Sequence, residues 1–203
     1  FNCKVWGLSD GKIKSDNYCS LGDSKVFEDE FTLDISQPSN ELNTILSQRF
    51  DFVFHLAAQG LVSIAKEKPR QTINSNIIGT YNILDAINKL SETPCIIIST
   101  TDKVYANPSH DNVEESPLGG DEFYSATKSA SEHIIRAFIN SRKRSTLNIG
   151  IVRSGNVLGG GDGARDRIVT DVLNSLKNNN EIVLRKPNAV RPWQYIMDSL
   201  HGY

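Results

Sequence analysis

The sequence predicts an α/β protein built on a doubly wound parallel sheet, with helices on both faces of the sheet. Short apolar segments alternate with longer amphipathic ones along most of the 203 residues. This alternation is typical of strand–helix–strand units joined by right-handed crossovers. Polar side chains also follow directly after several of the apolar segments, and the ligands of open α/β sheets bind outside the carboxyl ends of the strands.

Strands are predicted where β-branched and aromatic residues cluster in short runs. The clearest run is Ile96-Ile97-Ile98, which comes shortly after a proline and is followed at once by polar residues. The predicted strands, in chain order, cover residues 4–6, 31–35, 52–56, 96–98, 147–152 and 182–184.

Helices are predicted where apolar residues recur every three or four positions. Ser39 is a suitable N-cap for the first helix, and Ala130, Ile134 and Phe138 are expected on the inner face of the third. The predicted helices cover residues 39–49, 69–90, 124–140 and 168–177, and a proline-containing acidic loop is expected over 107–120.

The composition argues against several classes of function. Lys and Arg total 22 against 24 acidic residues, so neither a nucleic-acid surface nor a basic membrane anchor is indicated. No apolar run is long enough to span a bilayer. The three cysteines are widely separated, which predicts neither disulfides nor a zinc site and indicates a reducing cytoplasm. The four histidines form no ligand-spaced pair, so no metal is expected.

A cluster of reactive side chains is predicted where the 96–98 strand ends. Thr101, Asp102 and Lys103 supply a hydroxyl, a carboxylate and an amine within three residues. Taken alone, the segment is better explained as a strand that leaves the core in a polar turn. Tyr124 and Lys128 favour a catalytic site, because residues at i and i+4 share one helix face and a nearby ammonium lowers the pKa of a phenol. A tyrosine activated in this way is a base near neutral pH.

Two other strand ends are positioned to meet the adenosine half of a dinucleotide. Asp34 lies at the end of the second predicted strand, and Leu56-Ala57-Ala58 lies at the end of the third. Small residues allow a cofactor to approach the backbone closely, and a carboxylate binds ribose or adenine. For Asp34 the alternative is a turn residue ahead of a proline. The glycine run at 159–163 lacks the Gly-Lys-Ser/Thr ending of a triphosphate loop, so a mobile lid or substrate loop is predicted there.

Six ordered motifs carry a resemblance to a known family. They are HLAAQ at 55–59, NIIGT at 76–80, TDKVY at 101–105, YSATK at 124–128, RSGNV at 153–157 and RPW at 191–193. The set resembles the extended short-chain dehydrogenases of the NAD-dependent epimerase/dehydratase family, which process sugar nucleotides on a Rossmann-like fold. Within that family, the TDK motif, GGGD at 159–162, DR at 166–167 and NAVRPWQ at 188–194 are together similar to the branch that dehydrates CDP-glucose.

The resemblance implies a 4,6-dehydratase that removes water from a nucleotide sugar without net oxidation. Tyr124, supported by Lys128, would take the 4-hydroxyl proton, and Thr101 would hydrogen-bond the reacting 4-oxygen. Asp102 would protonate the departing 6-hydroxyl. Lys103 would assist removal of the C5 proton, where related dehydratases carry a glutamate; an ion pair with Asp102 or a nearby acid is an equal alternative for Lys103.

The resemblance also implies a cofactor, NAD, and a nucleotide-sugar substrate. The residues expected to bind NAD are Asp34, Ile35, Leu56, Ala57, Ala58, Asn76, Tyr124 and Lys128. The residues expected to bind the substrate are Gln59, Asn156, Arg167 and Arg191, since amides and guanidinium groups suit a diphosphate. A cytoplasmic enzyme of lipopolysaccharide or O-antigen biosynthesis, and a homo-oligomer when full length, is implied as well.

The family's Gly-rich pyrophosphate turn is absent, because Gly7 and Gly11 do not reproduce it. We therefore expect an NAD-binding domain over 1–157 without its first strand, and part of a substrate-binding lobe over 158–203, in a chain incomplete at both ends. In the usual strand order 3-2-1-4-5-6, the first three predicted strands would be the second, third and fourth. Such a chain is expected neither to fold stably nor to bind NAD alone.

Two other functions stay open. A sugar-nucleotide 4-epimerase also oxidises C4 but needs no acid for elimination, and the presence of Asp102 and Lys103 disfavours it. A non-catalytic NAD-binding protein on the same fold is disfavoured because Tyr124 and Lys128 are both present.

Overall fold

The computed structural model describes residues 3–11, 26–107, 111–141, 148–164 and 166–203. The strands in these ranges are β1 (Trp6–Ser9), β2 (Asp29–Thr32), β3 (Phe52–His55), β4 (Cys95–Thr101), β5 (Ile149–Ser154), β6 (Asn156–Leu158) and β7 (Trp193–Tyr195). The α-helices are α1 (Asn40–Leu46), α2 (Val62–Glu67), α3 (Pro69–Ile73), α4 (Gly79–Asn88), α5 (Phe123–Ser141), α6 (Ile168–Lys177) and α7 (Ile196–Gly202).

The strands pair in parallel throughout the described ranges. The central sheet has the order β3-β4-β5, while β1 pairs with β2 and β6 pairs with β7. No hydrogen-bonded ladder joins β1 to β3 in the part of the chain that the structure describes. The fold is therefore the Rossmann-like α/β class that the sequence predicts, and both the β1–β2 pairing and the β3-β4-β5 order follow the expected strand sequence.

The core lies between the central sheet and three helices, α1, α4 and α5. Its buried side chains are Leu42, Leu46, Ile83, Leu84, Ala86, Ile87, Ile96, Ile98 and Ile135. On the other face of β3, Phe52 and Phe54 stack at a centroid distance of 6.4 Å and are 61% and 52% exposed. Tyr203, which follows α7, reaches that second face, where its hydroxyl lies 2.6 Å from the Ser99 hydroxyl.

Local sequence explains the boundaries of two helical segments. Ser39 is the N-cap of α1, as predicted, and its hydroxyl accepts a hydrogen bond from the Glu41 amide at 3.0 Å. The single helix predicted over 69–90 is present as α3, a π-helical turn (Asn74–Ile78) and α4. A π turn inserts one extra residue per turn, and such turns are common at functional sites.

Two expectations about packing need correction. The strand predicted at 182–184 is not formed, and Val183 is 72% exposed there, because these apolar residues pair with no other strand. Ile134 and Phe138 pack against the core as expected, but they and Ala130 are only half-buried on α5. The fully buried side of α5 is mostly polar and consists of Ser125, Thr127, Lys128, Ser129, Ser131, Glu132 and Ile135.

Helix α2 and strands β6 and β7 were not predicted from the sequence. Strand β6 (Asn156–Leu158) spans the expected domain boundary between residues 157 and 158, and that division stays a prediction. None of the described helices is both long and apolar enough to cross a bilayer. Across the same ranges, no group of three or more His, Cys, Asp or Glu side chains is arranged to hold a metal ion.

Candidate active site

The chain leaves β4 in a single 3₁₀ turn (Asp102–Val104) that carries the reactive residues expected from the sequence. Thr101 accepts a hydrogen bond from the Lys103 amide at 3.4 Å and donates one to Asp102 Oδ1 at 3.0 Å. Val104 is completely buried and anchors the turn in the core. The Asp102 carboxylate is therefore held beside the Thr101 hydroxyl.

Tyr124 lies against this turn at the start of α5. The Glu122 carboxylate caps the helix, accepting hydrogen bonds from the amides of Tyr124 and Ser125, each at 2.8 Å. The Tyr124 hydroxyl hydrogen-bonds to Thr101. Lys103 Nζ lies 5.7 Å from the centroid of the Tyr124 ring. The structure thus brings Thr101 and the turn that follows it, together called the Thr-Asp-Lys turn (101–104), against Tyr124, as the sequence predicts.

Burial raises the pKa of Tyr124 above its ordinary value of 10.0. The hydrogen bond with Thr101 and the charge on Arg167 lower this pKa, while the charges on Asp102 and Glu122 raise it. The pKa of Tyr124 therefore moves in the direction opposite to the expectation that Lys128 would lower it, because burial penalises the phenolate more than the neighbouring charges favour it.

Lys128 is buried one turn further along α5, and its Nζ donates a hydrogen bond to the Ser99 carbonyl at 2.9 Å. Burial lowers the pKa of Lys128 to about 8, and the charge on Glu132 opposes that shift. Burial, followed by the positive charge on Lys128, lowers the pKa of the nearby His55 to about 4. The His55 imidazole is therefore neutral at pH 7, and its Nε2 lies 3.0 Å from the Thr80 hydroxyl.

Beneath the turn lie two charged residues to which sequence reasoning gave no role. Glu132 is completely buried, and Arg153 Nη2 donates to its Oε2 at 2.6 Å. A sequence signal existed for both: Glu132 follows Lys128 by one helical turn, and Arg153 opens the RSGNV motif. Charged residues are rarely buried unless they are paired, so Glu132 and Arg153 each need the other in order to be buried here.

The second predicted region, at the carboxyl ends of β1 and β2, contains a cavity of about 350 Å³. The cavity is lined by Asp10, Asp34, Ser36, Gln37, Arg70, Gln71, Asn74 and Ser75. Asp34 Oδ1 also accepts a hydrogen bond from the Ser36 amide at 3.0 Å, so Asp34 serves the turn and faces the cavity at once. Sequence reasoning missed Asp10, although it follows its strand much as Asp34 does.

Ile35 is directed away from this cavity. Its side chain packs against Gly79, where an added Cβ would lie 3.2 Å from it, and its carbonyl accepts a hydrogen bond from Asn82 Nδ2 at 2.8 Å. The Ile35 side chain therefore secures the loop after β2 to α4. A contact between Ile35 and the cofactor stays a prediction.

The loop after β3 is fastened from below by Asn76 in the π turn. The Asn76 side-chain oxygen accepts a hydrogen bond from the Gln59 backbone N–H at 2.8 Å. Its Nδ2 donates to the Gln59 backbone carbonyl at 3.1 Å and to Thr127 Oγ1 at 3.0 Å. The Gln59 side chain in turn donates to the Leu61 carbonyl and to Thr72 Oγ1, at 2.9 and 3.3 Å. Both amides are engaged within the protein, so their expected contacts with cofactor and substrate stay predictions. The fastened loop leaves Leu56, Ala57 and Ala58 exposed.

The model of the NAD dependent epimerase/dehydratase family matches residues 5–203. The chain belongs to this family. Its similarity to individual members is moderate: it is 36% identical over 169 residues to the CDP-glucose 4,6-dehydratase of Salmonella typhimurium, covering 79% of this chain and 47% of that protein. It is 25% identical over 150 residues to the UDP-glucose 4-epimerase of Rickettsia rickettsii, covering 74% of this chain and 39% of that protein. The chain thus spans less than half the length of these two relatives.

Among solved structures, the chain is similar to a dTDP-glucose 4,6-dehydratase from Streptomyces venezuelae with NAD bound. The TM-score is 0.85 at 21% identity, and the match covers 98% of this chain and 61% of that one. This similarity supports the Rossmann-like fold.

NAD is the cofactor of this epimerase/dehydratase family, and the described residues fit it at two places. The carboxylates of Asp10 and Asp34 at the cavity suit the hydroxyl groups of a ribose. The exposed Ala57 and Ala58 leave the backbone after β3 open to close approach. The buried ammonium of Lys128, one helical turn from Tyr124, supplies a cation beside β4, where it donates to the Ser99 carbonyl.

The residues expected to bind the sugar nucleotide lie around β6 and β7. The Asn156 amide donates to the Pro192 carbonyl at 2.9 Å, which places Asn156 beside Arg191 at the start of the β6–β7 pair. Arg167 Nη1 pairs with Asp162 Oδ2 at 3.1 Å, and the charge on Arg167 acts on Tyr124. Arg191 is exposed and donates to the Val190 carbonyl. Their contacts with a substrate stay predictions.

Proposed function

We propose that the protein is an NAD-dependent sugar-nucleotide 4,6-dehydratase that converts CDP-glucose to its 4-keto-6-deoxy derivative. The observation that carries the proposal is the turn after β4, where a hydroxyl, a carboxylate and an amine stand against Tyr124. Oxidation at C4 alone needs only a base such as Tyr124, whereas elimination of water from C5 and C6 needs an acid and a second base as well. Similarity to the Salmonella CDP-glucose 4,6-dehydratase supports the choice of substrate.

The residues divide the reaction between them. Bound NAD would supply the hydride acceptor for C4 and the hydride donor for C6, so the overall change would be the loss of one water. Tyr124 accepts the proton of the 4-hydroxyl while Thr101 hydrogen-bonds the same oxygen. Lys103 removes the proton from C5, which the new ketone has made acidic, and gives a proton back to C5 when the hydride reaches C6. Asp102 gives its proton to the 6-hydroxyl, which then leaves as water.

The position of Lys103 supports the role of base over the ion-pair alternative. No carboxylate in the described part of the chain lies within 4.0 Å of Lys103 Nζ. The ammonium is instead directed over the Tyr124 ring at 5.7 Å.

The same site leaves room for a nearby alternative, a 4-epimerase, because an epimerase relative matches much of the chain. The two activities differ in whether water is lost. Incubating the whole protein and NAD separately with CDP-, UDP- and dTDP-glucose, followed by mass spectrometry, tests the proposal. We expect loss of one water from CDP-glucose. Conversion of UDP-glucose to its C4 epimer without loss of water would support the epimerase, and no change in any of the three sugars would support a non-catalytic NAD-binding protein.

We further propose that the whole protein is a cytoplasmic homo-oligomer that uses the outer surface of its helical layer. Ile73, Ile78, Tyr81 and Ile139 are 37–43% exposed on α3, the π turn, α4 and α5. Tyr81 and Phe138 pack with ring centroids 5.7 Å apart on this surface. Sedimentation of the whole protein tests this proposal; a monomer at micromolar concentration would contradict it.

A further inference from the structure

The buried pair Glu132–Arg153 links α5 to β5 directly beneath the Thr-Asp-Lys turn. Arg153 Nε donates to both Glu132 carboxylate oxygens, at 2.9 and 3.2 Å, and Nη2 donates to Oε2 at 2.6 Å. The Glu132 side chain is 0% exposed and the Arg153 side chain 11%. Burying two charges carries a desolvation cost that well-packed apolar residues would avoid, so such a pair is weak evidence of a purely stabilising role.

Each member of the pair also contacts one end of the turn. On the upstream side, Thr100 Oγ1 donates to Glu132 Oε1 at 2.7 Å, and Thr100 directly precedes Thr101. On the downstream side, Arg153 Nη1 donates to the Tyr105 hydroxyl at 3.0 Å, and the guanidinium lies 4.8 Å from the Tyr105 ring centroid. Tyr105 directly follows the turn. The pair therefore holds both residues that flank it.

The downstream contact reaches further, into the loop that returns to α5. Arg153 Nη1 also donates to the Glu114 carbonyl at 2.9 Å. The loop is closed by hydrogen bonds from the Ala106 amide to the Pro117 carbonyl and from the Gly119 amide to the Val104 carbonyl, each at 2.8 Å. Arg153 thus connects the turn, the returning loop and, through Glu132, the helix that carries Tyr124.

We propose that Glu132 and Arg153 are positioning residues that fix the Thr101–Val104 turn against α5 and so set the placement of Asp102 and Lys103 relative to Tyr124. Neither residue touches the reacting atoms. The consequence for catalysis rests on the dehydratase function proposed above, whereas the consequence for the geometry of the turn does not.

Glu132 has a second effect, through its charge on Lys128. Two titratable groups interact with Lys128: Glu132 from α5 and the neutral His55 from β3. Glu132 is the carboxylate that favours the ammonium form of Lys128. Neutralising Glu132 is therefore expected to move the loss of activity at high pH to lower pH, by about one pH unit, a typical size for a charge acting in a protein interior.

The test uses two conservative variants of the whole protein, Thr100→Val and Tyr105→Phe, each of which removes one hydroxyl and no charge. Thr44→Val is the matched control, because it also removes one hydroxyl and no charge, and the exposed Thr44 hydroxyl donates to the Asn40 carbonyl within α1. Amide hydrogen exchange is measured at Lys103, Ala106 and Gly119. We expect exchange roughly tenfold faster in both variants and unchanged in the control, as for the loss of one hydrogen bond to a charged group. Unchanged exchange, or an equal rise throughout α5, would overturn the proposal.

Turnover of the same variants separates this proposal from the proposed function. If both are right, kcat falls roughly tenfold or more, while KM and the melting temperature change little. If the two variants exchange faster at the turn but the wild-type protein dehydrates no nucleotide sugar, the positioning role is supported and the proposed function is contradicted.

The combined variant Glu132→Gln with Arg153→Met tests the pair without leaving one buried charge unpaired, because it removes both charges together. It is therefore less prone to misfold than either single substitution. We expect this variant to fold. As the pH is raised, it should lose activity at a lower pH than the wild type does. A wild-type rate and pH profile in this variant would show that the pair is merely structural.

Discussion

Replacing Asp102 with asparagine is expected to separate the loss of water from the oxidation of the sugar. The change is small in structural terms, because the asparagine oxygen can still accept the hydrogen bond that Thr101 donates at 3.0 Å. The stability of the whole protein should therefore change by less than about 1 kcal/mol. What asparagine cannot supply is a proton for the departing 6-hydroxyl.

The size of the effect follows from the two roles of the Asp102 carboxylate. Assistance by a positioned acid typically contributes ~10²–10⁴ in rate, so the elimination step should slow by that factor. During the oxidation at C4, before Asp102 takes up the proton that it later donates, its negative charge also raises the pKa of Tyr124. Removing that charge lowers this pKa, so the oxidation at C4 should proceed at least as fast as in the wild type, and its loss of rate at low pH should shift to lower pH.

The assay is a single turnover of the whole protein loaded with NAD. Absorbance of the reduced nicotinamide follows oxidation at C4, and mass spectrometry of quenched samples follows the loss of water. Asp85→Asn is the matched control, because Asp85 forms an exposed ion pair with Lys89 at 2.7 Å on α4, away from the site. Overall turnover of Asp102→Asn at the wild-type rate, or equal slowing of both steps, would refute the reasoning.

Three further predictions concern Tyr124, His55 and Ile135. Tyr124→Phe should slow the first oxidation by at least ~10² with little change in melting temperature, as checked in the same single-turnover assay; a wild-type rate would contradict the base assignment. Because the pKa of His55 falls to about 4 in the folded protein, the unfolded chain binds more protons between about pH 6.5 and pH 4, and stability should fall by roughly 3 kcal/mol as the pH is lowered through that window. Urea unfolding at several pH values checks this, and in His55→Gln the free energy of unfolding should depend less on pH. The same dependence on pH in the variant and the wild type would contradict the prediction. Ile135→Ala removes a side chain that is 0% exposed and should cost about 2–5 kcal/mol in urea unfolding; a loss below 1 kcal/mol would mean that the core adjusts.

The elements that hold the site could be predicted because their signals are local. Ile96-Ile97-Ile98 marks β4, and the polar residues after it had to lie at the carboxyl edge of a parallel sheet. The spacing of Tyr124 and Lys128 places both on one face of α5. These features depend on residues close together in the sequence, so the turn and the helix were found where they were expected.

The polar side of α5 could not be predicted in the same way. An apolar periodicity pointed to Ala130, Ile134 and Phe138, whereas Ser131 and Glu132 are the fully buried residues. Burying them is tolerable only because their partners arrive from distant segments. The Ser131 hydroxyl donates to the Asn76 carbonyl at 2.7 Å, and Glu132 pairs with Arg153.

Burial and pairing with distant segments also explain why the pKa of Tyr124 is raised rather than lowered and why no strand forms at 182–184. The spacing of Tyr124 and Lys128 revealed a shared face but not the depth of burial, and burial dominates the pKa of the phenol. The apolar run at 182–184 has strand character, but a strand forms only where a neighbour offers backbone partners, and the described sheets offer none there.

The path of a deuterium label distinguishes the proposed dehydration from epimerisation most directly. The whole protein and NAD are incubated with CDP-glucose that carries deuterium at C4, and the product is examined by NMR. We expect a 4-keto-6-deoxy sugar in which the deuterium has moved to C6, because the hydride taken from C4 is returned there after water has left. Deuterium that stays at C4 of an epimerised sugar, or a substrate recovered unchanged, would contradict it.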